Sequence, residues 1–473
     1  MYPKTRSIKN RRCILIPETN NIVETESICI SVPKVYDWVV TQINIPPIIV
    51  PTVCIYEVFS VEGECGDISV GDVVCRPCSD ECEEILTCSS ENCNLVLTHF
   101  SPDCLPCPSG AITLSPDFEC DLPAGRVYNV NQGIFYEDIQ PAIDDANPGD
   151  TLIVFPGTFE ETADIIVDRP LTITGISADN TIVEFLNPPG ATLGNFTIAV
   201  DDVTIRNLLL IGPTPAGGDT SLLRINNAPG NTFYENIIID SMILEGGRRT
   251  AIIKATNLSI TNTTFIHSGN RHAIELRAGT GLFDISNNTF LGGEFTRNAI
   301  IFQVNTPFDT FTDATFNIES NNVTRFAQLV LFVLAASTNI SINVSDNVMD
   351  HQDRPGPSIP FIPSTDFTTI TPIIIQGNDI TNPNPPINNP DPFSAISNLS
   401  VYLDYAFSGP GAAVPADGQI QVYNNIFRVA LPWGFDTDEV FTDAPVGYND
   451  VATTPATMSL DAFILVGNTS IPL

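Results

Sequence analysis

Residues 260–265 read ITNTTF and residues 285–290 read ISNNTF. The pattern is an aliphatic residue, any residue, Asn or a small residue, a usually polar residue, any residue, then an apolar one. It returns as IRNLLL (205–210), IDSMIL (239–244), IESNNV (318–323), VSDNVM (344–349), IQGNDI (375–380) and VYNNIF (422–427), with starts 21 to 47 residues apart. A short unit recurring at such intervals predicts a solenoid with one coil per repeat and loop insertions where the gap is long. The first aliphatic residue points into the core. The Asn or small residue takes a tight turn in the left-handed region, and the last apolar residue begins the next inward-facing strand. Asn side chains at equivalent turns are then placed to stack and hydrogen-bond along the axis. With coils about 4.8 Å apart, some ten coils make a rod of roughly 50 Å.

Working outward, the chain from about Gly125 onward is short apolar runs bounded by Gly, Pro, Asn and Asp. One helix is expected, in FYEDIQPAIDDANPGD (135–150), where Ile139, Ile143 and Ala146 share a face. It would cap one end of the solenoid, since an open end exposes core and unpaired strand edges. The Asn-x-Ser/Thr sequences at Asn257, Asn262, Asn287 and Asn343 read as coil-turn Asn followed by strand Thr or Ser.

Composition narrows the function. Hydrophobic residues make up 43% of the 473 and charged ones only 16%, which is a packing composition. The 20 Lys+Arg against 55 Asp+Glu give a formal charge of −35 and would repel phosphate backbones and anionic membranes. Nucleic acid and membrane are therefore not expected as partners. The first twenty residues hold no apolar run of signal-peptide length, so classical secretion is not expected.

All twelve cysteines lie between Cys13 and Cys120, at Cys13, Cys29, Cys54, Cys65, Cys75, Cys78, Cys82, Cys88, Cys93, Cys104, Cys107 and Cys120. CRPC (75–78) and CLPC (104–107) have the spacing of a four-thiolate zinc site at Cys75, Cys78, Cys104 and Cys107. The crowding of the other cysteines, with His99 the one histidine of the region, favours a disulfide framework and no cofactor. Three regions follow: an N-terminal arm (1–52), a cysteine-rich domain (53–124) and the solenoid (125–473).

The stretch GIFYEDIQPAIDDANPGDTLIVFPGTFEETADIIVDRPLTITGISADNTIVEF (133–185) resembles the opening of right-handed parallel β-helix proteins of the pectin-lyase-like superfamily. The resemblance implies an all-β, right-handed parallel β-helix over about 350 residues, preceded by the disulfide-stapled region, and does not by itself select an activity. The polygalacturonase motifs are incomplete: Asp144-Asp145 and Asp201-Asp202 are present, but no histidine precedes Gly and Arg-Ile-Lys is missing. The later pectin methylesterase motifs are also missing, so the expectation is a chain that is not an enzyme.

The remaining basic constellation is Glu245, Arg248, Arg249, Lys254, His267, Arg271, His272, Glu275 and Arg277, on neighbouring coils. It is read as one groove in which Arg248, Arg249, Arg271 and His272 would hold an anionic sugar. Asp350 and Asp353 flanking His351 suggest a glycosidase dyad, set against their place in the Pro-rich loop HQDRPGPSIPFIPSTD (351–366).

The arm contains CISVPKVYDWVV (29–40), rich in β-branched and aromatic residues, with Val35, Tyr36, Trp38 and Val39 as anchors of a docking strand. It resembles a short segment near the N-termini of spore-surface and coat proteins of endospore-forming bacteria. That resemblance implies a structural subunit of the spore surface, assembled from the mother-cell cytoplasm and joined to copies of itself and other coat proteins through the arm and disulfides. The alternative is a β-helix that binds or cleaves an anionic polysaccharide.

Overall fold

The computed structural model describes residues 52–63, 65, 67–77, 85–90, 93–99, 105–106, 111–114, 119–121, 126–186, 195–212, 221–225, 233–267, 269–293, 296–303, 310–334, 337–354, 357–361, 370–384, 400–403, 415–430, 439–442, 444–449 and 459–473. Within 52–121, Thr52–Gly63 pairs antiparallel with Val73–Pro77 on one side and Cys93–His99 on the other, inside a seven-stranded sheet. Its small core holds Tyr56, Val58, Val74, Leu86, Leu95 and Leu97. A disulfide joins Cys65 to Cys93, and Cys75 and Cys88 are also disulfide-bonded. Of the four cysteines with zinc-site spacing, Cys78, Cys104 and Cys107 lie outside the described residues, as do Cys13, Cys29, Cys82 and the arm residues Val35, Tyr36, Trp38 and Val39.

From Val127 onward the chain is the expected parallel β-helix. Among the described residues, an eleven-stranded parallel sheet and a 22-stranded sheet wind around one apolar core. The larger sheet covers two faces, because Arg249–Thr261 and Ile274–Ser286, each 13 residues long, run through both. Successive coils stay in register through pairs such as Ile260↔Ile285 and Phe265↔Phe290. Inward positions stack like on like: the Phe265 and Phe290 rings lie 4.8 Å apart, and Phe302, Phe332 and Phe361 follow at 5.1 and 4.8 Å.

The hexapeptide divides its labour more finely than the sequence predicts. Its third position takes the left-handed turn, at φ between 50° and 66° for Asn207, Ser241, Asn262, Asn287, Ser320, Asp346, Gly377 and Asn424. The fourth position, not the third, makes the axial ladder. Asn288, Asn321, Asn347, Asn378, Asn425 and Asn468 each receive the backbone N–H and side-chain amide of the residue one coil before, save the first, where the donor below is the Thr263 backbone N–H. The sequon reading holds for Asn257, Asn262 and Asn287, which have positive φ. Asn343 departs from it and sits inside the strand Ile340–Ser345.

The capping helix is shorter than expected. Helix α1 spans Ile139–Asp145, and Ile134–Tyr136 is instead a strand paired antiparallel with Val127–Asn129. The backbone donors of this stretch go to the neighbouring strand, and Pro141 is confined to the first turn of the helix, where no intrahelical N–H is required. Ile139, Ala142 and Ile143 are fully buried and Ala146 nearly so, which preserves the expected apolar face.

Candidate functional site

Strands of the eleven-stranded face end at Glu245, His267, Gly292, Thr324 and Asp350. The chain then turns a corner into strands that begin at Arg249, Ile274, Asn298, Gln328 and Ile359. The corner carries Arg248, Arg271, Arg297, Arg325 and Arg354, one on each of five successive coils and all half-buried. Three of them are equivalent by register. Arg248, Arg271 and Arg297 immediately precede Arg249, His272 and Asn298, a buried lateral column that continues to Gln328. Backbone bonds tie these coils together: Thr250 N–H to His272 O, Ala273 N–H to Asn298 O, and Arg297 N–H to Arg271 O at 3.4, 3.1 and 3.1 Å.

The second layer is ionic. Glu275 has no exposed surface; one carboxylate oxygen pairs with Arg249 and the other accepts from Arg277 Nε at 2.8 Å. His267 Nδ1 lies 2.9 Å from Thr250 Oγ1, and burial pushes the ring down to about 4, against a hydrogen bond to the Arg271 backbone. Burial pushes His272 down to about 3, opposed by a bond to Asn298 and reinforced by the charges of Arg249 and Arg271. Both rings are neutral at pH 7 and serve as packing and hydrogen-bonding groups.

The predicted groove is therefore split. Arg248 and Arg271 face the corner, with Arg248 Nε on Asn270 Oδ1 at 3.2 Å, whereas Arg249 and His272 are buried behind them. Lys254 lies in the middle of its strand, in register with Ala278. Arg297, Arg325 and Arg354 were not anticipated, because only the register shows that widely spaced arginines share one corner.

Asp353 does not fit the acid of a glycosidase dyad. Arg325 grips Asp353 through two bonds of 2.9 Å and holds its carboxyl at about 2, so that it is no proton donor at neutral pH. His351 is fully buried between Ser358 Oγ at 2.8 Å and Arg354 O at 3.0 Å. The sequence reading also missed a polar lattice on another face. Asn317 Nδ2 bridges Asp284 and Glu319 at 3.3 Å each, and Asn343 Nδ2 reaches Asn317 Oδ1 at 2.9 Å. Its signal is the alternation in FDIS, FNIE and INVS, whose apolar residues face inward.

No protein-family model matches the sequence, and no curated protein matches it. Solved structures do. The A-module of Azotobacter vinelandii mannuronan C-5 epimerase AlgE6 is 14% identical over 71% of this chain and 94% of its own, with a TM-score of 0.34. The catalytic unit of a thermostable α-1,3-glucanase from Streptomyces thermodiastaticus is 13% identical over 80% and 74%, at 0.37. A PL6 alginate lyase bound to a trisaccharide is 12% identical over 70% and 80%, at 0.32. This likeness is one of fold. It nevertheless corrects one expectation: these neighbours are enzymes, so missing pectin motifs are no ground for excluding enzymatic activity. The spore-coat resemblance finds no support among them.

Proposed function

We propose that this chain is a polysaccharide-binding or polysaccharide-cleaving β-helix that takes an anionic sugar polymer along its arginine corner. The observation that carries the reading is the row Arg248, Arg271 and Arg297, repeated once per coil and backed by the buried Arg249–Glu275–Arg277 cluster. An arginine fork matches a carboxylate in plane and donates two N–H groups to it, which a lysine cannot do. The rest of the chain is acidic and repels polyanions, so a polymer that binds is steered to the corner. The names of the neighbouring structures, among them a mannuronan epimerase and an alginate lyase, agree with a sugar polymer as ligand.

Affinity electrophoresis through gels containing polyuronate or neutral glucan tests the reading. Retardation is expected in polyuronate alone, and Arg271→Gln should weaken it. Equal mobility in both gels overturns it. The same polymers, incubated with the protein and assayed for unsaturated ends and new reducing ends, distinguish cleavage from binding alone.

A further inference from the structure

We infer that the eleven-stranded face is a docking surface for a second copy of this chain. The inference stands apart from the sugar-binding reading. Along each strand of this face the residue that enters the core is flanked by two that point outward, as the period of two requires. On five successive strands, Thr181–Phe185, Leu209–Ile211, Ile243–Glu245, Thr264–His267 and Thr289–Gly292, six of the ten outward residues are aliphatic: Ile182, Leu209, Ile211, Ile243, Ile266 and Leu291. Register aligns the ten in two straight columns. None of the six is buried, and Leu291 is 40% exposed. The neighbouring face of the same coils is polar. One of its outward columns reads Thr204, Ile238, Ser259 and Asp284, and the other runs from Arg206 to Ser286 without an aliphatic residue. A contiguous apolar patch beside a polar face built on the same coils marks a surface that meets a partner.

Size and spacing select a second copy as that partner. Strands of three to five residues at about 3.3 Å each make the face some 10–16 Å wide, and eleven strands about 4.8 Å apart make it roughly 50 Å long. Two such faces bury on the order of 1,300 Å², inside the roughly 1,200–2,000 Å² of a stable interface. A flat ladder is matched in spacing by another such ladder, whose rows seat between its own. Charge then selects the symmetry. A two-fold axis parallel to the solenoid sets each coil against its own copy and exchanges the two columns, so that Glu184 and Glu245 face Ile182 and Ile243 of the second copy. A two-fold axis along the strands keeps like columns together and, centred on the patch, sets Glu245 against Glu245, where like charges oppose docking.

Sedimentation velocity of the full chain across the micromolar range tests this, with reductant present to remove disulfides between chains. A reversible monomer–dimer equilibrium is expected. Leu291→Glu and Ile266→Glu should each weaken it at least about tenfold, whereas Ile238→Glu should leave it within about twofold. Ile238 is the matched control, 41% exposed but on the polar face. Circular dichroism melts of the three variants should coincide with that of the unaltered chain, since each side chain lies outside the core. A chain that stays monomeric throughout, a dimer that ignores both Leu291→Glu and Ile266→Glu, or one that Ile238→Glu weakens equally overturns the inference. A monomer whose binding to polyuronate falls with Leu291→Glu assigns the face to the polymer and overturns it as well.

Discussion

At the scale of the residue, Glu275 shows how position decides what a charged group does. The same carboxylate on an exposed face would contribute little, but here it is enclosed between Arg249 and Arg277 with no solvent surface. Removing it strands a buried cation, and breaking such a pair costs about 3–5 kcal/mol. Glu275→Ala should lose that much in urea denaturation; a loss below about 1 kcal/mol would show that the arginines find other anions. Arg248, Arg249, Arg271 and His272 were legible as candidates because cations are scarce in this chain. Which of them faces solvent was not legible, since neighbours in sequence such as Arg248 and Arg249 are separated only by the direction in which the coil turns.

At the scale of the element, the axial ladder of asparagines sets the order of stability. Asn347 accepts the Asn321 backbone N–H, donates to the Ile318 carbonyl and bonds Asn378, all in a buried site. Asn347→Ala leaves at least one buried donor and one acceptor without a partner, each costing about 1–3 kcal/mol. A total near 3 kcal/mol is expected by chemical denaturation, and an unchanged midpoint would show that water replaces the amide. The largely antiparallel sheet within residues 52–121 relies on a different device. Its core is small, and the Cys65–Cys93 bond closes a separation of 28 residues, worth roughly 3–4 kcal/mol in the chain-entropy account. Reductant should therefore raise amide exchange in 52–121 and leave the cysteine-free coils after Cys120 protected. Equal loss of protection in both regions would refute this.

At the scale of the whole molecule, acid should weaken the fold before the carboxylates titrate. His267, His272 and His351 are buried and lowered to about 4, 3 and 4. Below pH 6.5 the unfolded chain takes up three protons that the folded chain refuses, so stability falls as pH falls, from about 6.5 to about 4. At its steepest the slope is about 4 kcal/mol per pH unit, three protons acting together, reduced by the easing of negative repulsion. Urea midpoints at pH 7, 6 and 5 measure it. A loss confined to pH below 4 would instead point to carboxylates such as Asp353, whose depressed pKa gives stability only above about 2 to 4.

The sequence alone determined the architecture, because a coil repeats its chemistry: inward aliphatics, a left-handed turn residue and ladder asparagines recur wherever the chain passes the same corner. It also marked the helix that closes the solenoid, missing only that Ile134–Tyr136 finds a strand partner at Val127–Asn129. The tertiary structure decided what the charged residues do. Arg248, Arg271 and Arg297 are 23 and 26 residues apart in the chain yet adjacent along the axis, because insertions of unequal length are absorbed in loops while the strands keep register. Periodicity read from sequence carries the spacing of strands; the lateral alignment of side chains exists only once the backbone ladders have formed.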